Sequence, residues 1–98
     1  MKEVRELVEN YFKEHGASTI PVSTLLNDGS KDHIINIGTS ILCTKWGIGY
    51  PGGSFVQAVV NNNLMEAIGR ADNINVHALK FYCQLMYNVG MPINLIKE

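Results

Sequence analysis

The chain has 98 residues, which is enough for one domain because domains most often have about 100–150 residues. Hydrophobic residues make up 46% of the chain and charged residues 17%, compared with roughly 25% charged residues in an average soluble domain. This balance excludes intrinsic disorder, which needs low hydrophobicity and high net charge. The net charge of −1 gives no basic surplus, so duplex nucleic acid is not a predicted partner.

The small size of the domain favours self-association. A domain of this length buries only about 60–65% of the surface of its unfolded chain, so its stability margin is small. The low charge content also leaves much apolar surface to cover. We therefore predict a homo-oligomer.

The beginning of the chain predicts a cytoplasmic protein without membrane contact. Residues 1–6 are mostly charged and lack the apolar run of a signal peptide. No apolar run in the sequence reaches the ~18 residues that a membrane-spanning helix needs.

The cysteines and histidines show no metal-binding or redox spacing. Cys43 and Cys83 are 40 residues apart and form no Cys-x-x-Cys motif, which predicts two buried free thiols in a reducing compartment. The histidines, His15, His33 and His77, are also far apart, so their spacing predicts no zinc site. We predict neither a metal nor another cofactor.

Residues 2–15 are predicted to form an amphipathic helix. Their apolar side chains recur at helical spacing, and the charged side chains lie mostly on the opposite face. The apolar stripe consists of Val4, Leu7, Val8, Tyr11 and Phe12. Gly16 is the predicted end of the helix, because glycine readily adopts the left-handed conformation that ends many helices.

The segment after the first helix fits more than one structure. Residues 19–26 fit a short strand or an extended segment, because Pro21 disfavours a helical residue before it. Residues 27–30 are typical of a turn, and residues 34–37 fit the second strand of a hairpin across that turn. The isoleucines of this segment also fit helical spacing, and a short helix is predicted over residues 39–46.

The second half of the chain is predicted to contain a glycine-rich loop and two helices. Residues 47–54 hold four glycines and a proline, which is typical of a sharply turning loop, and Ser54 is the predicted N-cap. Residues 55–71 have one broad apolar face, with a kink at the asparagines of residues 61–63. The helix over residues 76–89 is expected to pack against more than one partner, because it has two apolar lines. These are Val76, Leu79, Cys83 and Met86 on one line and Ala78, Tyr82, Leu85 and Val89 on the other.

Together these elements predict a mainly α fold, with a single domain over residues 1–98 that contains about three to four helices. A short β-hairpin within residues 19–37 is the open alternative inside that fold.

A series of short motifs in residues 47–89 resembles a class of short phage and prophage proteins. The series is Pro51-Gly52-Gly53-Ser54-Phe55, Asn62-Asn63-Leu64, Ala67, Arg70-Ala71-Asp72 and Asn75. Proteins of that class carry P-G-G-x-F, N-D-L and R-A-D motifs and a later asparagine. This chain departs from the pattern at Asn63, where the class usually has Asp, and in its ending, which lacks the tryptophan of that class.

The resemblance implies a phage accessory protein. Small phage proteins of this size include ones that bind the nucleotide second messengers of bacterial immune systems and hold them without cleaving them. A candidate ligand site can therefore be sought among the residues of the motif series.

The glycine-rich loop and its flanking aromatic residues are the first candidate site. Successive amides in a glycine-rich turn that leads into a helix attract anions, which places a phosphate at Gly52, Gly53 and Ser54. Trp46 and Tyr50 flank the loop, and aromatic rings stack on bases. In the alternative interpretation the glycines form a tight connection and Trp46 belongs to the core, since no lysine occupies the P-loop position.

Arg70 and Asn63 are the polar candidates. A guanidinium binds phosphate through two parallel hydrogen bonds, and an asparagine amide can pair with a base edge. The alternatives are an ion pair of Arg70 with Glu66 or Asp72 and a structural cap at Asn63. Helical spacing puts Asn63, Glu66 and Arg70 on one stripe.

The residues do not predict an enzyme. The sequence shows no evident Ser–His–Asp or Cys–His arrangement, and Glu66 and Asp72 do not share a helix face, so no acid–base pair is evident.

Two functions are predicted from these residues. In the first, the chain is a phage-encoded homo-oligomer that sequesters a phosphate-bearing nucleotide signal, such as a cyclic oligonucleotide or a molecule like cyclic ADP-ribose, and so blocks host anti-phage signalling. In the second, it is a non-catalytic interaction module, a phage adaptor or an inhibitor of a host protein. The motif residues are then scaffold, and the binding surface is an oligomer interface or the stripe from Val4 to Phe12.

Overall fold

The computed structural model describes residues 2–92, which form seven α-helices and no strand. The helices are α1 (Lys2–Thr19), α2 (Val22–Leu25), α3 (Ser30–Trp46), α4 (Ser54–Val60), α5 (Leu64–Arg70), α6 (Asn73–His77) and α7 (Leu79–Asn88). No helix in this part of the chain has both the length and the hydropathy required to cross a membrane. The mainly α class agrees with the prediction, but the predicted number of helices is wrong.

The three longest helices, α1, α3 and α7, form the frame of the domain. α1 lies along α3, and α7 packs against both. Their buried apolar side chains meet in one core, where each is at most 1% exposed. These are Val4, Val8, Ile34, Ile35, Ile41, Leu42, Phe81, Tyr82 and Leu85. Burial of such side chains is the main source of folding free energy in a domain of this kind.

The shorter helices α4, α5 and α6 complete the domain beside α3 and α7. α4 packs against α3 and α5, and α6 packs against α3 and α7. Phe55 of α4 meets the ring of Tyr82 edge to face, with the ring centroids 5.9 Å apart. Aromatic pairs favour this geometry, so Phe55 fixes α4 on the frame.

Gly38 allows the three frame helices to approach closely. A Cβ atom at this position would lie 2.9 Å from Val8 Cγ1 and 3.1 Å from Leu85 Cδ2. Both neighbours are fully buried, so neither side chain can move into solvent. Glycine is therefore required at position 38 by the space between α1, α3 and α7.

The β-hairpin predicted for residues 19–37 is wrong. Val22–Leu25 form a single helical turn, and Ser30–Trp46 form one continuous helix. The turn at residues 27–30 is confirmed, with Gly29 at a φ of 76°. The isoleucines of α3 are helical because burial against the other frame helices outweighs their preference for strands. Gly38 lies in the buried stripe and interrupts the apolar periodicity that would have indicated a long helix.

Helix boundaries differ from the predictions at three further places. α1 continues through Gly16 to Thr19, because Gly16 is buried within the helix beside the ring of Phe12. The helix predicted over residues 55–71 is two helices, α4 and α5, and the expected kink is a complete break in which Asn62 has a φ of 59°. The helix predicted over residues 76–89 is likewise divided, between α6 and α7.

The contact at Gly38 predicts a large effect of one added methyl group. Gly38→Ala is expected to lower the free energy of unfolding by about 1–3 kcal/mol through overpacking, although alanine favours the helix more than glycine does. Urea denaturation of the full chain measures this change.

Gly69→Ala is the matched control, because Gly69 lies in α5 with no atom within 4 Å of the added Cβ. It is expected to raise the free energy of unfolding by about 0.5–1 kcal/mol. Equal effects of the two substitutions would contradict the close approach at Gly38.

Candidate functional site

Residues 47–53 form the predicted loop between α3 and α4. Gly47 and Gly49 have φ values of 70° and 69°, in the left-handed region that favours glycine. Gly52 is required by packing, since a Cβ there would lie 2.5 Å from Ser40 Oγ and 2.6 Å from Val56 Cγ1. Gly47, Gly49 and Gly52 therefore serve a tight connection, as in the alternative interpretation, whereas Gly53 has a φ of −68° and open space around it.

The backbone of Gly52 is bonded within the chain. Its N–H donates to Thr44 Oγ1 at 2.9 Å, and its carbonyl oxygen accepts from Gln57 Nε2 at 2.7 Å. Gly53 is the N-cap of α4, and Ser54, the predicted N-cap, is instead the exposed first residue of the helix. One of the three amides predicted to hold a phosphate is thus already engaged.

The two aromatic candidates have different surroundings. Trp46 is partly buried and packs against the core, as the structural alternative predicted. Tyr50 lies in the loop with 96% of its surface exposed. Of the two rings, that of Tyr50 is accessible to a ligand.

Asn63, Glu66 and Arg70 are linked along α5, on the stripe that the sequence predicted. Asn63 is the N-cap, and its Oδ1 accepts from the Glu66 N–H at 3.2 Å. Glu66 Oε1 lies 3.2 Å from Arg70 Nε in an i,i+4 ion pair. Within residues 2–92 no hydrogen bond or ion pair joins Asn63 or Arg70 to the loop.

Asp72 and Asn75, the last residues of the motif series, hold α6 in place. Asp72 is the N-cap of α6 and its Oδ1 accepts from the Asn75 N–H at 2.7 Å. Its other oxygen, Oδ2, lies 2.9 Å from His33 Nε2 on α3. The buried Asn75 Oδ1 accepts from the Tyr82 hydroxyl at 2.7 Å. Asp72 is therefore the cap of α6, and Asn75 is a buried residue of the core.

The hydroxyl of Tyr82 stays protonated over a wide pH range. Burial raises its pKa far above the ordinary value, and the nearby negative charge of Asp72 raises it further. The protonated hydroxyl is the donor that satisfies the Asn75 side chain. Throughout the described part of the chain, no buried side-chain nitrogen or oxygen lacks a hydrogen-bond partner.

An apolar groove that the sequence analysis did not identify lies between the α4–α5 pair and α7. Both ends are open to solvent, one with a volume of about 30 Å³ and the other with a volume of about 240 Å³. Val59, Asn62 and Cys83 line both ends and therefore lie at its centre. The first end is also lined by Ala58, Asn63, Leu64, Ala67 and Leu79, and the second by Lys45, Met86 and Tyr87.

Large apolar side chains are exposed at this groove and on the adjoining face of α5. Tyr87 is 88% exposed and Leu64 is 59% exposed at the groove itself. On α5, Met65 is 85% exposed and Ile68, four residues after Leu64, is 49% exposed. Since residues three and four apart are neighbours on a helix, Ile68 lies beside Leu64 and Met65, and these side chains form an exposed apolar strip on α5 next to the groove.

The two apolar lines on residues 76–89 were the sequence signal for this groove. Three members of one line, Ala78, Tyr82 and Leu85, are fully buried in the core, and the fourth, Val89, is partly buried. Three members of the other line, Leu79, Cys83 and Met86, line the groove. The two apolar lines therefore have different surroundings, one mainly in the core and the other at the groove.

The cysteines are both free, as predicted, but only Cys43 is partly buried and Cys83 is exposed. The predicted burial of Cys83 is wrong because its line of α7 faces the groove. Burial of the sulfur raises the pKa of both thiols, so both are protonated near neutral pH and are weak nucleophiles.

Two other surfaces of the described residues differ from the groove in their burial and charge. The stripe of α1 is part of the core, because Val4 and Val8 are fully buried and Tyr11 and Phe12 pack against the core. A polar cleft of about 400 Å³ beside α1 is lined by two acidic and two basic side chains and by Asn10. The charged residues are Glu6, Glu9, Lys13 and Lys31.

Over residues 2–92 no group of three or more His, Cys, Asp or Glu side chains is arranged to hold a metal ion.

No family model, curated protein or solved structure matches this chain.

The Tyr82 hydroxyl predicts a dependence of stability on pH. The pKa of Tyr82 is higher in the folded than in the unfolded chain, where it is about 10, so its contribution is complete below pH ~10 and declines as the pH rises further. Tyr82→Phe leaves the buried Asn75 oxygen without its donor and is expected to cost about 1–3 kcal/mol at neutral pH.

Urea denaturation across neutral and alkaline pH measures both effects. Above pH ~10 the variant is expected to lose stability less steeply than the native chain, by up to about 1.4 kcal/mol per pH unit. Tyr50→Phe is the control, because it removes a hydroxyl from a side chain that is 96% exposed. Identical alkaline slopes for Tyr82→Phe and the native chain would contradict the assignment.

Proposed function

We propose that this protein is a non-catalytic protein-interaction module that binds its partner through the apolar groove between α4–α5 and α7. The observation that carries the proposal is the exposed apolar surface there, with Leu64, Met65, Ile68 and Tyr87 each at least 49% exposed. Contiguous apolar surface of this kind typically marks a site of protein association. Tyrosine and methionine are also enriched at such sites.

The structural roles of the motif residues support this choice. Gly52 is held by packing and by two hydrogen bonds, and Asn63 and Arg70 are bonded to Glu66. Asp72 and Asn75 fix α6. These polar residues of the series serve the fold, whereas Asn62, Leu64 and Ala67 of the series line the groove, which is the apolar candidate surface. The resemblance to phage accessory proteins makes proteins of a host cytoplasm candidate partners, beside a second copy of this chain.

The test uses the full chain as a tagged bait in a lysate that also contains the untagged chain. Tyr87→Lys places a charge in the groove and is expected to reduce retention of the bound protein at least tenfold. Such a loss corresponds to about 1.4 kcal/mol, less than a typical interface hot spot contributes. Quantitative mass spectrometry of the retained proteins measures the loss.

Leu26→Lys is the matched control, because Leu26 is 78% exposed beside the short helix α2, outside the groove. Retention should be unaffected by this equally large change. A bound protein that resists Tyr87→Lys, or one that is lost equally with both variants, would show that the groove is not the binding surface.

Sequestration of a phosphate-bearing nucleotide is the second candidate function. The observation that favours it is the ring of Tyr50, which is 96% exposed in the loop beside the exposed Gly53 and Ser54. Base–aromatic stacking contributes about 1–3 kcal/mol per base. On this proposal Tyr50 stacks on the base, and the ligand leaves the protein chemically unchanged.

Thermal unfolding against cyclic di- and trinucleotides, cyclic ADP-ribose isomers and linear nucleotides tests the second function. A ligand at a hundredfold over its dissociation constant stabilises by about 2.7 kcal/mol, and each kcal/mol raises the midpoint by roughly 4–8 °C in a domain of this size. Tyr50→Ala should reduce the shift, whereas Tyr87→Ala should retain it. Absence of any shift over the panel would reject sequestration of these ligands, and recovery of a cleaved ligand would indicate an enzyme.

A further inference from the structure

We propose that the partner in the groove is a second copy of this chain, in a two-fold symmetric dimer whose axis passes near Cys83. The inference rests on the proposed function, since it takes the groove to be a protein-binding surface and names its occupant. Three features of the groove support a second copy as its occupant: the area of its exposed apolar surface, its charge and the position of Cys83.

The exposed apolar area supplies about half or more of the roughly 520 Å² of apolar surface that each partner of a standard homodimer contributes. An aliphatic side chain contributes about 60–120 Å² and an aromatic one about 150–250 Å² when fully exposed. The exposures of Leu64, Met65, Ile68 and Tyr87 then leave roughly 250–450 Å² of apolar surface. A standard interface covers about 800 Å² on each partner, and about 65% of a homodimer interface is apolar. The partly exposed Leu79, Cys83 and Met86 add to the same surface.

The charge of the groove suits a surface that faces its own copy. Its lining contains one charged side chain, Lys45, at one end, and Lys45 Nζ donates to the Met86 carbonyl oxygen at 2.6 Å. On the neighbouring face of α5, Glu66 and Arg70 neutralise each other. A two-fold axis brings each patch against the same patch of the other subunit. A centre without charge therefore avoids the repulsion that like charges would cause across the axis.

The position of Cys83 gives the dimer a chemical marker. Cys83 lines both ends of the groove, so it lies at the middle of the surface that would pair. Residues nearest the axis of a two-fold interface face their own counterparts. Cys43, the other free thiol, lies partly buried in α3 and does not line the groove.

Analytical ultracentrifugation of the full chain over a wide concentration range tests the dimer. The native chain should sediment as a dimer. Tyr87→Lys and Ile68→Lys should each raise its dissociation constant at least about thirtyfold, the effect of losing an interface hot spot. Leu26→Lys should leave the dissociation constant unchanged. Because all three side chains are at least 49% exposed, the variants should keep the circular dichroism spectrum of the native chain.

Crosslinking with a short bismaleimide tests the position of the axis. Cys43→Ser retains only Cys83 and should give a covalent dimer, whereas Cys83→Ser retains only Cys43 and should stay monomeric on a denaturing gel. Failure of the Cys43→Ser variant to crosslink would overturn the proposed arrangement.

Two sedimentation results would overturn the inference. A native chain that is monomeric at every concentration rules out the second copy, and a dimer that resists Tyr87→Lys and Ile68→Lys pairs through another surface. The proposed function would survive either result if the tagged chain retained a different protein that Tyr87→Lys released. It would fail if no retained protein, the untagged chain included, depended on the groove.

Discussion

The fold depends on the point where α3 passes α1 and α7 with only a hydrogen atom at Gly38 between them. Val8 and Leu85 contact the α3 backbone there, and this short distance between helices lets the core close around Ile34, Ile41 and Tyr82. Close packing matters more in a small domain, because its core contains few side chains and each void or clash is a large share of the total stability. The shorter helices pack on the frame of α1, α3 and α7, so their positions depend on the distances between these three helices.

Tyr82 connects that frame to the motif series. Its ring packs against Phe55 of α4, and its hydroxyl bonds to Asn75 of α6. One buried side chain thus holds two short helices that would be unstable alone, since helices of fewer than about 12–15 residues are marginal in water. α7 can do this because one of its faces is directed entirely into the core. Its other face is the wall of the groove, so the scaffold and the proposed binding surface share one helix.

The sequence predicted the structure well where a pattern is local and poorly where distant segments decide. The stripe of α1, the turn at residues 27–30 and the loop at residues 47–53 follow from periodicity and from turn chemistry. The hairpin was wrong because β-branched isoleucines favour strands in isolation, and because Gly38 resembles a helix breaker unless the neighbouring helices are known. The break at residues 61–63 was visible as three asparagines, but its depth depends on how α4 and α5 pack.

Prediction of the candidate site likewise succeeded for local patterns and failed for contacts between distant segments. The stripe of Asn63, Glu66 and Arg70 could be predicted from helical spacing, and so could its alternative of a cap and an ion pair, which is what the structure contains. The groove could not be located, because its walls come from segments about 20 residues apart in the sequence. The two apolar lines of the last helix indicated that a second surface existed. They could not indicate that it would be left at the surface of the domain.

Three exposed apolar residues near the groove lie outside the motif series, and this has a consequence for how such a protein can diversify. The polar motif residues fix the backbone of α4, α5 and α6, whereas Met65, Ile68 and Tyr87 are exposed and contribute little to the core. Substitutions at these three positions therefore alter what the surface recognises at small cost in stability. Chains that keep the same motifs would share this architecture while selecting different partners, so the motif series is a marker of architecture and a poor guide to binding specificity.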